Sequence, residues 1–140
     1  MPDYKNFKKR REEGFTLLEI MIVLIIIGVL AALAIPIYVH NVEQSYKQEA
    51  YMTLTVVRES QLRYHTGHNA YSSAYSLMDY DPTDTTLDPP GMVRHFDYAA
   101  PTAAAATWSV VATRNASGRG AGVPAYTVTI DQTGAITSSY

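Results

Sequence analysis

An apolar segment near the amino terminus constrains this chain more than any other feature. Between residues 15 and 39 only Thr16 and Glu19 are polar, and no side chain from residue 20 to residue 35 is polar. A helix of about 20 apolar residues crosses the hydrocarbon core of a bilayer, so this segment is long enough to span a membrane with some tilt. Residues 5–11 are rich in lysine and arginine, and positive charge beside a span stays on the cytoplasmic side. We therefore expect a single-pass precursor in the inner membrane, with the remainder of the chain on the far side.

Glu19 decides between three interpretations of this segment. A secretory signal peptide is the first, because the small residues around Ala34 are typical of a cleavage site, but the apolar run is longer than usual and contains a carboxylate. A plain membrane anchor is the second, and it gives Glu19 no function. The third is an anchor that is cleaved and then assembles with copies of itself. A carboxylate inside a span is costly and usually has a partner, which favours the third interpretation.

Gly14, Phe15 and Glu19 together resemble the class III signal of type IV prepilins and the related pseudopilins. In that family a short basic leader ends in glycine, a prepilin peptidase cuts after the glycine and methylates the new first residue, and the fifth mature residue is a glutamate. The resemblance implies a leader at residues 1–14, cleavage between Gly14 and Phe15, and N-methylation of Phe15. It is specific over residues 10–40.

The resemblance also implies a function for Glu19 in assembly. Cleavage exposes an ammonium on Phe15, and such a charge packed among helices needs an anion to offset its desolvation. In this family the glutamate, here Glu19, neutralises the amine of Phe15 in the adjacent subunit and sets the axial register. A side chain of Glu19 that simply extends to the membrane interface is the alternative.

Gly28 and Pro36 interrupt the apolar segment. Proline removes a helix hydrogen bond and kinks the axis, and glycine weakens a helix locally. By resemblance, the helix between Gly28 and Pro36 unwinds when subunits pack into a filament, while a simple kink remains the alternative.

Residues 40–66 predict a continuation of the same helix with a different character. Glu43 and Lys47 form a favourable i,i+4 pair, and Gly67 predicts the position just after the helix. An apolar stripe at helical spacing indicates that one face packs against other parts of the chain. The stripe consists of Val42, Tyr46, Ala50, Leu54, Val57 and Tyr64.

Residues 67–140 predict a loop region followed by a small antiparallel sheet. Strands are expected at residues 93–99, 107–114 and 125–131, with a short last strand from Ile136, because these segments are rich in β-branched and aromatic residues. Alternation places Tyr126, Val128 and Ile130 on one face, and Trp108 is expected in the core. The predicted fold is therefore α+β, with a long helical spine packed on a sheet of three or four strands, as in pilins.

The loop residues offer little for metal binding. Asp79, Asp81, Asp84 and Asp88 could be imagined around calcium, but acidic turn residues explain them better. Residues His65 and His68 have a metal-compatible spacing without a cysteine or acid beside them, which favours ordinary exposed histidines. We therefore predict no metal site.

Two departures from the family concern the last part of the chain. There is no cysteine, whereas many type IV pilins close this region with a disulfide. Major pseudopilins of type II secretion tend to bind calcium through acids in a late loop, and the corresponding residues 114–126 contain no acid. The second departure weighs against a major pseudopilin.

The sequence contains no nucleophile motif, phosphate-binding loop or basic nucleic-acid footprint. We predict a structural protein with no cofactor, not an enzyme. By resemblance it is a type IV pilus subunit for adhesion, motility or DNA uptake, displayed on the cell surface after assembly. A pseudopilin of a type II secretion system is the alternative, and a membrane-anchored periplasmic domain is a distant one. The implied partners are further copies of the chain, the prepilin peptidase, an inner-membrane assembly platform, a cytoplasmic ATPase and membrane lipids.

Overall fold

The structure is a computed structural model that describes residues 14–86, 88–120 and 122–139. It contains a helix α1 (Leu17–His68), a single 3₁₀ turn (Tyr75–Leu77) and five strands. Most of the predicted leader lies outside the described residues. The strands are β1 (Phe96–Tyr98), β2 (Thr102–Ala103), β3 (Trp108–Arg114), β4 (Thr127–Asp131) and β5 (Ile136–Ser138).

Helix α1 ends later than the sequence indicated. We expected Gly67 just after the helix, but the helix continues through Gly67 and His68. Asn69 then adopts a left-handed conformation with φ of 53°, while its N–H still donates to the His65 carbonyl at 2.8 Å. Asparagine tolerates this conformation almost as glycine does, so it ends the helix in place of Gly67.

The contacts within the chain separate two compact units, Met1–Tyr38 and Val39–Tyr140. In the first unit, every described side chain from residue 14 to residue 38 is exposed. This stretch of α1 is long and apolar enough, by length and composition, to cross a membrane. None of the described side chains in this stretch is buried.

The second unit contains the rest of α1 and an antiparallel sheet. The strand order is β1-β3-β4-β5, and the two-residue β2 also pairs with β3. Opposite residues in the central pair include Val110 with Ile130 and Ala112 with Val128. The sheet therefore has five strands, where the sequence predicted three or four. The α+β fold with a long amino-terminal helix is confirmed.

The core of the second unit lies between one face of α1 and one face of the sheet. Ala50, Leu54 and Val57 are fully buried on the helix. Alternate residues of β3 and β4 face them, because successive side chains of a strand point to opposite sides. Tyr126, Val128 and Ile130, predicted on one face, and Trp108, predicted in the core, are all buried. Val110 and Ala112 of β3 are buried on the same side of the sheet.

Candidate processing and assembly site

The start of α1 is capped by Thr16. The backbone N–H of Glu19 donates to Thr16 Oγ1 at 3.2 Å, and the N–H of Ile20 donates to the Thr16 carbonyl at 3.3 Å. A threonine followed three residues later by glutamate is the sequence signature of a helix start. The Gly14–Phe15 bond therefore precedes the cap and lies outside the helix. Gly14 is exposed and the Phe15 side chain is 77% exposed, so nothing in the described chain covers this bond.

Glu19 lies in the first turn of α1, where the positive end of the helix dipole favours a carboxylate. Its side chain is exposed and forms no ion pair with the other residues that the structure describes. Residues 15 and 19 are about one helical turn apart in the chain. The structure therefore brings the predicted cleavage and assembly residues to one exposed end of α1.

Gly28 and Pro36 both lie inside α1, which is helical on either side of each residue. A methyl group placed on Gly28 would have no neighbour within 4 Å, and Pro36 is exposed. The isolated chain is thus helical at both positions. The unwinding expected in a filament stays a prediction.

The two predicted non-ligand histidines pack against aromatic rings. The His68 ring stacks on Tyr64 with 4.1 Å between centroids, and the His65 ring lies 4.5 Å from that of Tyr71. In the described part of the chain, no group of three or more metal-binding side chains is close enough together to hold an ion.

The loop aspartates are bound by donors of the chain. Asp79 accepts from Ser60 Oγ and from Arg63 Nε, the latter at 2.5 Å. The hydrogen bond from Arg63 has the larger effect and that from Ser60 the smaller, and together they lower the pKa of Asp79 to about 2. A cleft of about 310 Å³ lies beside these residues. Its other carboxylates bind local donors as well: Asp81 binds Thr83, Asp84 binds Thr86 N–H, and Asp88 binds Arg94.

The sequence interpretation missed a buried ionic network between α1 and the sheet. Arg114 Nε donates to Glu43 Oε2 at 3.0 Å, and Arg114 Nη2 donates to Glu43 Oε1 at 3.1 Å. The Tyr126 hydroxyl donates to Glu43 Oε2 at 3.1 Å. Both charged residues are only 1% exposed. Burial alone would raise the pKa of Glu43, but the hydrogen bonds and charge of Arg114, with the Tyr126 bond, lower it.

A hydrogen-bonded histidine–glutamate pair lies next to this network. His95 Nδ1 lies 2.7 Å from Glu49 Oε2, and the His95 backbone N–H donates to Glu49 Oε1 at 3.1 Å. The His95 ring stacks on the Tyr46 ring with 4.0 Å between centroids, and the Arg114 guanidinium lies 4.6 Å from the centroid of the Tyr46 ring. Polar and aromatic groups therefore fill this end of the helix–sheet interface.

A signal for the network was present in the sequence. Glu43 and Lys47 precede Ala50 and Leu54 at helical spacing, so they share the buried face of α1. Arg114 follows Val110 and Ala112 at a spacing of two, so it points inward from β3. An arginine and a glutamate at two inward positions predict a buried pair, since unpaired buried charges are rare.

Comparisons with known proteins agree with the geometry at the start of α1. A family model described as "Prokaryotic N-terminal methylation motif" matches residues 9–35. The type II secretion system core protein G of Aeromonas hydrophila is 35% identical over 72 residues, which are 51% of this chain and 50% of that protein. The core protein G of Dickeya chrysanthemi is 52% identical over 54 residues, 39% of this chain and 35% of that protein.

A pilin is also among the relatives. The type IV major pilin protein PilA of Myxococcus xanthus is 36% identical over 72 residues, 51% of this chain and 33% of that protein. The matches to these three relatives span at most half of each relative's length. No solved structure matches the chain. The methylation motif, these relatives and the long helix packed on an antiparallel sheet make the chain similar to type IV pilins and to the core protein G of type II secretion systems.

Proposed function

We propose that this chain is a filament subunit of a type II secretion system, a pseudopilin, made as a membrane-anchored precursor. The methylation motif over residues 9–35 carries the proposal. Core protein G, rather than a pilin, is the name of most of the similar curated proteins, including those of Aeromonas and Dickeya. This reverses the order expected from sequence, where a pilus subunit came first.

The exposed end of α1 supports cleavage between Gly14 and Phe15. A peptidase needs an uncovered, non-helical bond, and the cap at Thr16 begins the helix just after this one. Cleavage would leave an ammonium on Phe15, and N-methylation would keep its positive charge. The protein therefore acts as a structural subunit and performs no reaction of its own in this proposal.

Assembly would rest on the charge of Glu19. Its carboxylate has no ionic partner among the described residues and is the only acid between residues 14 and 42. An ammonium from a neighbouring subunit would neutralise it, and the apolar side chains around it would exclude water. Such a pair is strong in a low-dielectric environment and strongly penalises a missing partner.

A type IV pilus subunit is the second candidate. It is favoured by the similarity to the Myxococcus PilA and by a fimbrial protein of Eikenella corrodens, 51% identical over 43 residues. The two candidates share processing and assembly. They differ in whether the filament is part of a secretion system or a fibre on the cell surface.

Mass spectrometry of the amino terminus tests processing. The chain from host membranes should begin at N-methylated Phe15, and the same chain found in sheared surface fibres would favour the pilus subunit. A Gly14→Ile variant should remain uncut, while a Gly67→Ile variant, changed at another exposed glycine, should be cut normally. An intact leader in the wild type, or cleavage after Ala34, would overturn the proposal.

Co-expression tests the function of Glu19. Glu19→Ala should be inserted and cleaved, yet enter filaments poorly beside wild-type subunits. Glu59→Ala, which removes an exposed acid elsewhere on α1, should enter normally. Equal incorporation of both variants would refute the pairing.

Deletion of the gene in its host separates the two candidates. Loss of exported proteins from the medium with surface fibres intact would support the secretion subunit. Loss of surface fibres with secretion intact would establish the pilus subunit instead.

A further inference from the structure

The Arg114 guanidinium is the centre of the best-connected polar cluster that we find in the described part of the chain. Its Nε and Nη2 bind the two carboxylate oxygens of Glu43. Its Nη1 donates to three backbone carbonyls, those of His95, Asn115 and Ser117, at 3.1, 3.2 and 2.8 Å. The side chain is 0% exposed. One cation thus joins α1, the residue before β1 and the start of the loop between β3 and β4.

The loop itself adds bonds that fix its first residues. Asn115 Oδ1 accepts the Ser117 N–H at 2.9 Å, and Asn115 Nδ2 donates to the Arg94 carbonyl at 3.0 Å. Gly118 has φ of +65° and lies against Tyr46 and His95. Carbonyls that converge in this way on one point usually surround a cation.

Calcium does not fit this place. The resemblance to major pseudopilins implies a calcium ion held by acids in the late loop, and residues 115–126 have none. The converging carbonyls already accept from Arg114, and a calcium ion beside them would meet a buried positive charge. The acid that is present, Glu43, is bound on both oxygens by the guanidinium.

We infer that Arg114 is an internal structural cation, which orders the loop after β3 and joins it to α1 without a metal ion or a disulfide. The inference concerns the second unit alone and holds whether or not the chain forms a filament.

Arginine suits this position better than lysine would. Its planar fork offers five N–H donors in fixed directions, so it can bind a carboxylate through two atoms and still reach carbonyls on the other side. Lysine has the same charge but only three donors on one atom. A lysine at this position would keep the positive charge but not the fixed directions of the N–H donors. Arg114→Lys therefore tests the effect of donor geometry separately from the effect of charge.

The test is hydrogen exchange of the full chain in detergent, followed at the amides of residues 115–119 and, for comparison, of β3 and β4. Wild-type protein should show the same loop protection in excess EDTA and in millimolar calcium. Arg114→Lys should exchange in the loop roughly a hundredfold faster, the size expected when hydrogen bonds from a buried charged group to the loop carbonyls are lost. Exchange in the strands should change less. Arg63→Lys, at an exposed ion pair with Asp79, is the matched control and should leave the loop unchanged.

Three results would overturn the inference. The first is wild-type protection that is lost in EDTA and restored by calcium, which would establish a metal site. The second is an Arg114→Lys loop protected as in the wild type. The third is an Arg63→Lys loop that exchanges as fast as the Arg114→Lys loop, because the effect would then not come from the Arg114 guanidinium. If Arg114→Lys fails to fold, Glu43→Gln provides the same comparison, since it removes the charge bound by the guanidinium while keeping its shape.

Discussion

Leu24 and Leu54 lie on the same helix in opposite circumstances. Leu24, in the first unit, is 62% exposed, and Leu54, in the second, is fully buried. From residue 14 to residue 38 no described side chain is buried. From residue 39 onward the chain covers one face of α1 with its own sheet. One helix therefore contains an apolar segment that the described residues leave exposed and a segment whose apolar face is buried in the second unit.

The difference teaches that helix formation and burial are separate requirements. Both segments are helical, although the first is rich in β-branched isoleucine and valine, which have lower helix propensity. The first segment is apolar on all sides, as in a membrane span, whereas the second is apolar on one side. Substitutions that act through burial should therefore affect only the second unit, and this can be tested.

The largest effect is expected at the buried ion pair of the second unit. Glu43→Gln should lower the free energy of unfolding by about 3–5 kcal/mol at neutral pH, because the Arg114 charge remains buried without its partner. Urea unfolding of the full chain in detergent measures it. Asp79→Asn, at an exposed pair, should have a much smaller effect, and equal effects would contradict the burial argument.

The same variant gives a dependence on pH. The pKa of Glu43 is lower in the folded protein than in the unfolded chain, where it is about 4.3. Its contribution to stability is therefore complete above that value and is lost as the pH falls through the folded pKa. Wild-type stability should fall on acidification below about pH 4.3, and Glu43→Gln should flatten this fall.

The two leucines provide the most direct comparison of the units. Leu54→Ala should cost about 2–5 kcal/mol, since it leaves a cavity in the core. Leu24→Ala should change the unfolding of the second unit by less than about 0.5 kcal/mol. Unfolding followed by the fluorescence of Trp108, which lies in the core of the second unit, measures both. A comparable loss from Leu24→Ala would show that the units are not independent in stability.

Two glycines with the same backbone conformation sharpen the comparison within the second unit. Gly134 and Gly91 have φ of +85° and +83°. A methyl group on Gly134 would lie 2.8 Å from Arg58 Nε, whereas one on Gly91 would have nothing within 4 Å. We expect a loss of about 2 kcal/mol for Gly134→Ala and about 1 kcal/mol for Gly91→Ala. Thermal unfolding measures both, and the reverse order would contradict the packing around Arg58.

The smallest effect concerns the glycines of α1. Gly28 and Gly67 are both helical, with open space where a methyl group would lie. Alanine should strengthen the helix at each by up to about 1 kcal/mol. Only Gly67→Ala should raise the unfolding free energy of the second unit, while Gly28→Ala should slow amide exchange near residue 28. If filaments require unwinding there, Gly28→Ala should also reduce assembly relative to Gly67→Ala.

Periodicity predicted the elements whose side chains alternate between two environments. The apolar segment, the buried face around Leu54 and the inward residues of β4 were found because local spacing determines which way they point. Strand β2 was not predicted, because its two residues, Thr102 and Ala103, are too few to show an alternating pattern of apolar and polar side chains. The end of α1 was misplaced because both Gly67 and Asn69 can adopt the conformation that ends a helix.

The buried pair could not be predicted with the same certainty. Glu43 and Arg114 are 71 residues apart, and no local pattern connects them. The sequence indicated only a local i,i+4 pair of Glu43 with Lys47. Only the packing of the sheet on α1 brings the two charges together.

The order of strands in the sheet has a consequence for how the chain folds. β3, β4 and β5 pair in the order in which they are joined, and β1 and β2 precede β3 closely. A sheet of chain-adjacent hairpins closes short loops and can form rapidly. The docking of α1 on that sheet brings together residues far apart in the chain. It is therefore expected to follow the formation of the sheet. The contact between Glu43 and Arg114 is therefore expected to form after the transition state for folding, so its loss should speed unfolding more than it slows folding.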